Sequence, residues 1–231
     1  MTERITRIPF KEELQPFPKR RGLNVLPSHP NYVIRDSYDV PLEKDLEILQ
    51  ASREVFSRMQ SYGISVVPHQ FVLGGVHKKH HTIFTIADKV EGEDFQNATI
   101  PTKEADRFLA NICTFLFDTY TNSGNYMSDM VDPPQYVWGN TKRDSQKRIY
   151  FVDLDLDPHT IWKKDEFFFD NLLFLYKMLC TFEQNNRNRR LTKARKKLVE
   201  FCLWIKSNED YDHAREVAEF ILGGGNPAEI E

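Results

Sequence analysis

Three aspartates at alternate positions, Asp153, Asp155 and Asp157, follow directly on the apolar run Ile149-Tyr150-Phe151-Val152. If the extended chain continues through them, the three carboxylates share one face, and like charges in register repel. A bound divalent cation turns that cost into an advantage, because magnesium takes oxygen ligands from one or two carboxylates plus phosphate oxygens. The plain alternative is a strand that leaves the core into a solvated acidic turn at Pro158. The preceding loop, Ser128-Asp129-Met130-Val131-Asp132-Pro133-Pro134-Gln135, adds two more aspartates and an amide. A short hairpin sets the start of its first strand beside the end of its second, so Asp129 or Asp132, Gln135 and Asp153 can converge at one mouth. Phosphoryl transfer uses such a set, with one carboxylate to orient or deprotonate the nucleophile and an amide and a carboxylate for metal.

The spacing Asp129-x-x-x-Pro133-Pro134-Gln135-Tyr136-Val137-Trp138, followed by Tyr150-Phe151-Val152-Asp153-Leu154-Asp155, resembles the catalytic loop and metal-binding segment of the protein-kinase-like superfamily. It is closest to the divergent and small-molecule branches, where an Asp-rich segment replaces the usual Asp-Phe-Gly. Ile86-Ala87-Asp88-Lys89-Val90-Glu91-Gly92-Glu93-Asp94-Phe95 is similar to the hinge between kinase lobes. Tyr32-Val33-Ile34-Arg35 stands where the nucleotide-binding lysine strand lies, and the stretch Leu42 to Met59 where the regulatory helix lies.

The resemblance implies an α+β, two-lobed kinase-like fold with a reduced N-terminal β lobe and a helical C-terminal lobe. It divides the chain into an irregular arm (1–30), a small β-rich lobe with one helix (31–95) and a helical lobe that carries the catalytic-like loop and hairpin (96–231). Its implied cofactors are Mg2+ and ATP. Asp153 and Asp155 would hold the metal, and Gln135 would add a metal or phosphate contact. Asp129, with Asp132 as the alternative, would position the hydroxyl of a small-molecule or protein acceptor. Arg35 would touch phosphate and pair with Glu47 or Glu54. The chain also departs from the pattern. A glycine-rich phosphate loop is missing, Arg35 replaces the lysine, Met127-Ser128 replaces the histidine before the catalytic aspartate, and Gln135 replaces an asparagine. These departures imply the second outcome, a pseudokinase that binds a partner and catalyses nothing.

The elements that must position these residues can be read from period and punctuation. Asn31–Ser37 has the β-rich centre of a strand. Leu42, Leu46, Leu49, Phe56 and Met59 recur at helical spacing, and Tyr62-Gly63 ends that helix. Val66–Leu73 and His81–Val90 form a hairpin, and Glu91-Gly92-Glu93-Asp94 breaks the second strand. Thr102 caps a long, largely buried helix with Phe108, Leu109, Ile112, Phe115 and Leu116 around it. After a loop over Asn122–Pro134, Gln135–Trp138 pairs with Ile149–Val152 in a second hairpin. Helices follow at Asp165–Phe182, Leu191–Ile205 and His213–Leu222. The arm carries Pro9, Pro16, Pro18, Pro27 and Pro30 and is irregular, a wrapping strand at most.

Composition excludes several classes. At 13% aromatic the chain can fill a core, and a net charge of −3 rules out a whole-molecule polyanion binder. Cys113, Cys180 and Cys202 lie in apolar helical stretches at no disulfide or zinc spacing, which reads as buried thiols in a reducing, cytoplasmic setting. No apolar run is long enough for a membrane span. Asp153-Leu154-Asp155 also resembles the metal motif of nucleotide-sugar glycosyltransferases, but that fold needs alternating strands and helices upstream. His77, His80 and His81 read as a solvated hairpin tip rather than a metal site. The run Arg187, Arg189, Arg190, Lys193, Arg195, Lys196 and Lys197 reads first as solvated surface, and second as a patch for an acidic partner. It lacks the interleaved aromatics of a single-strand nucleic-acid site, which makes nucleic acid a poor candidate.

Overall fold

The structure is a computed structural model, and it describes residues 15–16, 23–36, 40–41, 45–77, 80–122, 126–127, 131–154, 161–162, 166–187 and 189–230. Alternating β-branched and aromatic residues give β3 (Tyr32–Asp36), β6 (His69–His77) and β7 (His80–Asp88), with short ladders at β1 (Gln15–Pro16), β2 (Asn24–Val25) and β4 (Val40–Pro41). These six form one antiparallel sheet in the order β1-β2-β3-β7-β4, with β6 on the other edge of β7. The arm is thus not wholly irregular, since Gln15–Pro16 pairs with Asn24–Val25.

The first helix, α1, runs from Asp45 to Ser61 and ends at Gly63, which sits at φ 75. The second sheet has the order β5-β11-β10-β8, from Ser65–Val66 (β5), Glu91–Asp94 (β8), Tyr136–Asn140 (β10) and Arg148–Phe151 (β11). β5 joins β11 in parallel, and the other pairings are antiparallel. The hairpin register sets Trp138 opposite Ile149 and Tyr136 opposite Phe151. Glu91-Gly92-Glu93-Asp94 is therefore a strand rather than a break. The reason is a pair of glycines, since Gly92 lies opposite Gly139. A Cβ at Gly92 would fall 2.1 Å from the Trp138 carbonyl oxygen, and one at Gly139 would fall 2.4 Å from that of Glu91. A two-stranded ladder, β9 (Tyr126–Met127) with β12 (Ile161–Trp162), lies inside a stretch that reads as loop.

Four further helices complete the chain: α2 (Thr102–Thr121), α3 (Asp170–Asn185), α4 (Thr192–Asn208) and α5 (Asp212–Leu222). The N-cap of α2 is Pro101 rather than Thr102, and no side chain caps it. On α2, Phe108, Leu109, Ile112, Phe115 and Leu116 are buried, as their spacing requires. Phe117 packs edge-on against Phe201 at 4.9 Å and Trp204 at 5.6 Å, which ties α2 to α4. Edge-to-face pairs of this kind add about 0.5–1.5 kcal/mol to what area burial gives. Cys113, Cys180 and Cys202 are buried and free. Burial pushes the Cys202 thiol up to about 12, so it is an inert packing group. The architecture is a mixed α+β fold with mostly antiparallel sheets and, among the described residues, five α-helices. Among those residues no helix is long and apolar enough to cross a membrane.

Candidate functional site

Asp153 sits two residues beyond β11, and its position is fixed from both sides. Phe151 before it is fully buried, and its carbonyl accepts from the Val67 backbone N–H at 3.0 Å. Leu154 after it is buried, and its carbonyl accepts from the Thr85 hydroxyl of β7 at 3.4 Å. The Val152 backbone N–H donates to the Gln135 carbonyl at 2.9 Å, so the start of β10 is held beside the end of β11. The short hairpin places the two segments together as its sequence requires. The aspartate lies past the last ladder pair, not on a continuing strand face.

Arg35 arrives from β3, 118 residues away, and its guanidinium pairs with Asp153 Oδ1. Its cross-strand neighbour on β7 is Thr85, the residue that holds Leu154. One rung of the first sheet therefore supplies both the cation at the Asp153 carboxylate and the bond that fixes the chain next to it. Gln135 closes the cluster, with Nε2 donating to Asp153 Oδ2 at 3.4 Å. An ionised carboxylate only accepts, so the amide must turn its nitrogen toward Asp153 and its oxygen away. That oxygen, Oε1, is buried and has no hydrogen-bond partner among the described residues, in a residue only 6% exposed. A buried acceptor left unmade costs about 1–3 kcal/mol, so it marks a place where a cation or water belongs.

Three of the expected residues, Arg35, Gln135 and Asp153, thus meet. Asp132 is exposed and lines a separate cavity of 560 Å3 with Pro133, Pro134, Phe174 and Phe182. Glu47 and Glu54 lie on the exposed side of α1, and Arg35 is given to Asp153 rather than to either of them. Asp129, Asp155 and Asp157 lie outside the described residues. Among the described residues no three His, Cys, Asp or Glu side chains come together as a metal cluster. A cation held here would take Asp153, would gain the Gln135 Oε1 only with the amide turned over, and would complete its shell from its own ligand and water.

A second polar centre has no counterpart among the residues expected from the sequence. Asp88 at the end of β7 is 4% exposed, and burial pushes its carboxyl above the usual range while the Arg143 guanidinium draws it down. Arg143, in the turn between β10 and β11, sets Nε 3.2 Å from Asp88 Oδ2, donates Nη2 to the Tyr32 hydroxyl at 3.4 Å and lies over the Tyr32 ring. The turn thereby ties the second sheet to the first. The available signal is only an aspartate inside a β-rich run, which carries no indication of its distant partner.

No family model matches the chain, and no curated protein sequence matches it. Among solved structures it is similar to a MAP kinase from Leishmania major, at 10% sequence identity and a TM-score of 0.36. That match covers 86% of this chain and 72% of the kinase chain. A likeness at that TM-score carries no weight for function.

Proposed function

We propose that the chain is a divergent kinase-like phosphotransferase that uses a magnesium nucleotide. The observation that supports this reading is the meeting of Arg35, Gln135 and Asp153, from three separate segments, beside a buried amide oxygen without a partner among the described residues. The donor set suits the cofactor. Asp153 would serve as a hard oxygen ligand, with Asp155 as a further carboxylate, and Gln135 would add its Oε1 once the amide turned over. Bound magnesium would supply charge neutralisation on the transferring phosphoryl group. Arg35 places a guanidinium fork at the same spot, and that fork matches phosphate oxygens as well as carboxylate. Gln135 orients Asp153 through its Nε2. Asp129, or Asp132 as the alternative, positions the acceptor hydroxyl. Glu47 enters only if the α1 helix approaches Arg35 when nucleotide is bound.

One observation favours a second reading, a nucleotide-free pseudokinase that serves a partner. Arg35 already supplies Asp153 with a positive charge, and the sequence offers no glycine-rich loop to cradle phosphates. Thermal denaturation with and without ATP and magnesium separates the two. The enzyme reading expects a rise of about 3 °C or more at saturating nucleotide, which is lost in Asp153→Ala. No rise in the wild-type chain overturns it, and a rise that survives Asp153→Ala moves the nucleotide to another site.

A further inference from the structure

A cavity of about 880 Å3 lies away from Asp153. It is an open groove between the first turns of α2, the β10–β11 turn and the chain after α1. Its floor is apolar, with Ile64, Val66, Phe108 and Ile149, all buried. Its rim is cationic. Arg107, Arg143, Lys147 and Arg148 face two carboxylates, Glu104 and Asp144. Each of those carboxylates is already used. Glu104 pairs with Arg107, while Asp144 takes Arg148 at 3.0 Å and the Tyr150 hydroxyl at 3.3 Å. Lys147 is exposed and makes no ion pair among the described residues. Asp88, buried behind Arg143, offsets the charge of that arginine, so Lys147 is the rim cation left over.

The positive face continues past the groove. Lys103 and Arg107 stand four residues apart on α2 and share a side of that helix. On a neighbouring side of the same turn, Asp106 Oδ1 accepts from the Ala194 backbone N–H at 2.9 Å, which docks the start of α4 against α2. That brings in Arg189, Arg190 and Lys193, all exposed and without an ion pair among the described residues. Farther along α4 the basic run is spent internally, since Arg195 is held by Glu183 and Lys197 by Glu200. The basic start of α4 thus stands beside the α2 turn that lines the groove, in a chain whose net charge is −3.

We propose that this face docks an extended acidic segment of a partner protein. Charge complementarity selects the sign of the partner. The shape and the remaining lining select its class. Gln60, Asn111 and Gln146 put side-chain amides into the groove, which suit the N–H and C=O groups of an extended peptide. Nucleic acid is disfavoured, because the lining aromatics Phe108 and Tyr150 are buried and Trp138 alone is partly exposed, too little to stack successive bases. A bilayer is disfavoured, because a flat surface leaves a concave groove unfilled.

The test is fluorescence anisotropy of the full chain with a labelled peptide of about 12 residues, spanning about 40 Å when extended. The peptide is rich in Glu and Asp with single Leu residues, and its control replaces each acid by the amide. The acidic peptide is expected to bind at least tenfold tighter than the amide control, and to weaken as salt rises. Lys147→Glu with Arg107→Glu is expected to abolish that preference, and Arg189→Glu with Arg190→Glu to reduce it several-fold. Both pairs are exposed, so circular dichroism and melting should stay at wild-type values. Asp153→Ala is expected to bind the peptide normally, which separates this site from the nucleotide reading. Equal binding of the two peptides overturns the proposal, as does an unaffected Lys147→Glu/Arg107→Glu protein. Tighter binding of an anionic vesicle or a single-stranded oligonucleotide than of the peptide overturns it as well.

Discussion

Two arginine–carboxylate pairs on this molecule have similar chemistry and opposite character. Glu183 near the end of α3 is closed on every side. Arg195 donates Nε to both carboxylate oxygens, at 3.0 and 3.1 Å, and Nη2 to Oε2 at 2.6 Å, and the Leu191 backbone N–H donates at 2.6 Å. Burial alone would raise the Glu183 carboxyl, but the Arg195 and Leu191 hydrogen bonds more than offset it and hold it below the usual range. Its partners span only 12 residues and pin α3 to α4. Asp153 is held by a cation from 118 residues away, with one long bond from Gln135 and an unmade acceptor beside it. A structural ion pair satisfies its lone pairs and is complete without a ligand. A pair that leaves an acceptor unmade still offers a ligand something to bind.

The largest expected effect lies at Glu183. Arg195→Met leaves a mostly buried carboxylate without its fork, and about 2–3 kcal/mol of stability should be lost. Denaturant unfolding measures it, and a loss no larger than that of Arg35→Met would erase the distinction. The next effect is a pH dependence. Because the folded Glu183 carboxyl titrates below its unfolded value, its contribution is fully present above the ordinary carboxylate range and disappears as pH falls through the folded value. Wild type should therefore exceed Glu183→Gln by about 1–2 kcal/mol at neutral pH, and the two melting curves should converge in acid. The smallest effect belongs to the open pair. Arg35→Met should cost less than about 1 kcal/mol, as partly exposed ion pairs do. A larger cost would mean that Arg35–Asp153 is itself a structural clamp.

The aromatic helical core and the hairpin that frames the site are both legible from spacing. Phe108, Leu109, Ile112, Phe115 and Leu116 are buried as their period requires, and the ladder of Trp138 on Ile149 comes from the apolar runs around a polar turn. Local pattern suffices there, because each element buries its own stripe. The β8 strand is not legible, because charged residues around a glycine look like a break until a second glycine, Gly139, stands opposite.

At the site, the residue pattern alone places Asp153 after an apolar strand and Gln135 at the start of its hairpin partner. Those are neighbours through a short turn, and short loops leave little choice. That Arg35 reaches Asp153 rather than Glu47 or Glu54, and that Thr85 and Arg35 share one rung of β-ladder, comes from the folded chain. It alone set Arg143 against Asp88, brought Lys147 and Arg107 to one groove, and docked the start of α4 on Asp106. Those contacts join segments far apart in the chain. Their geometry is fixed by sheet register and helix docking, quantities that no local pattern of residues encodes.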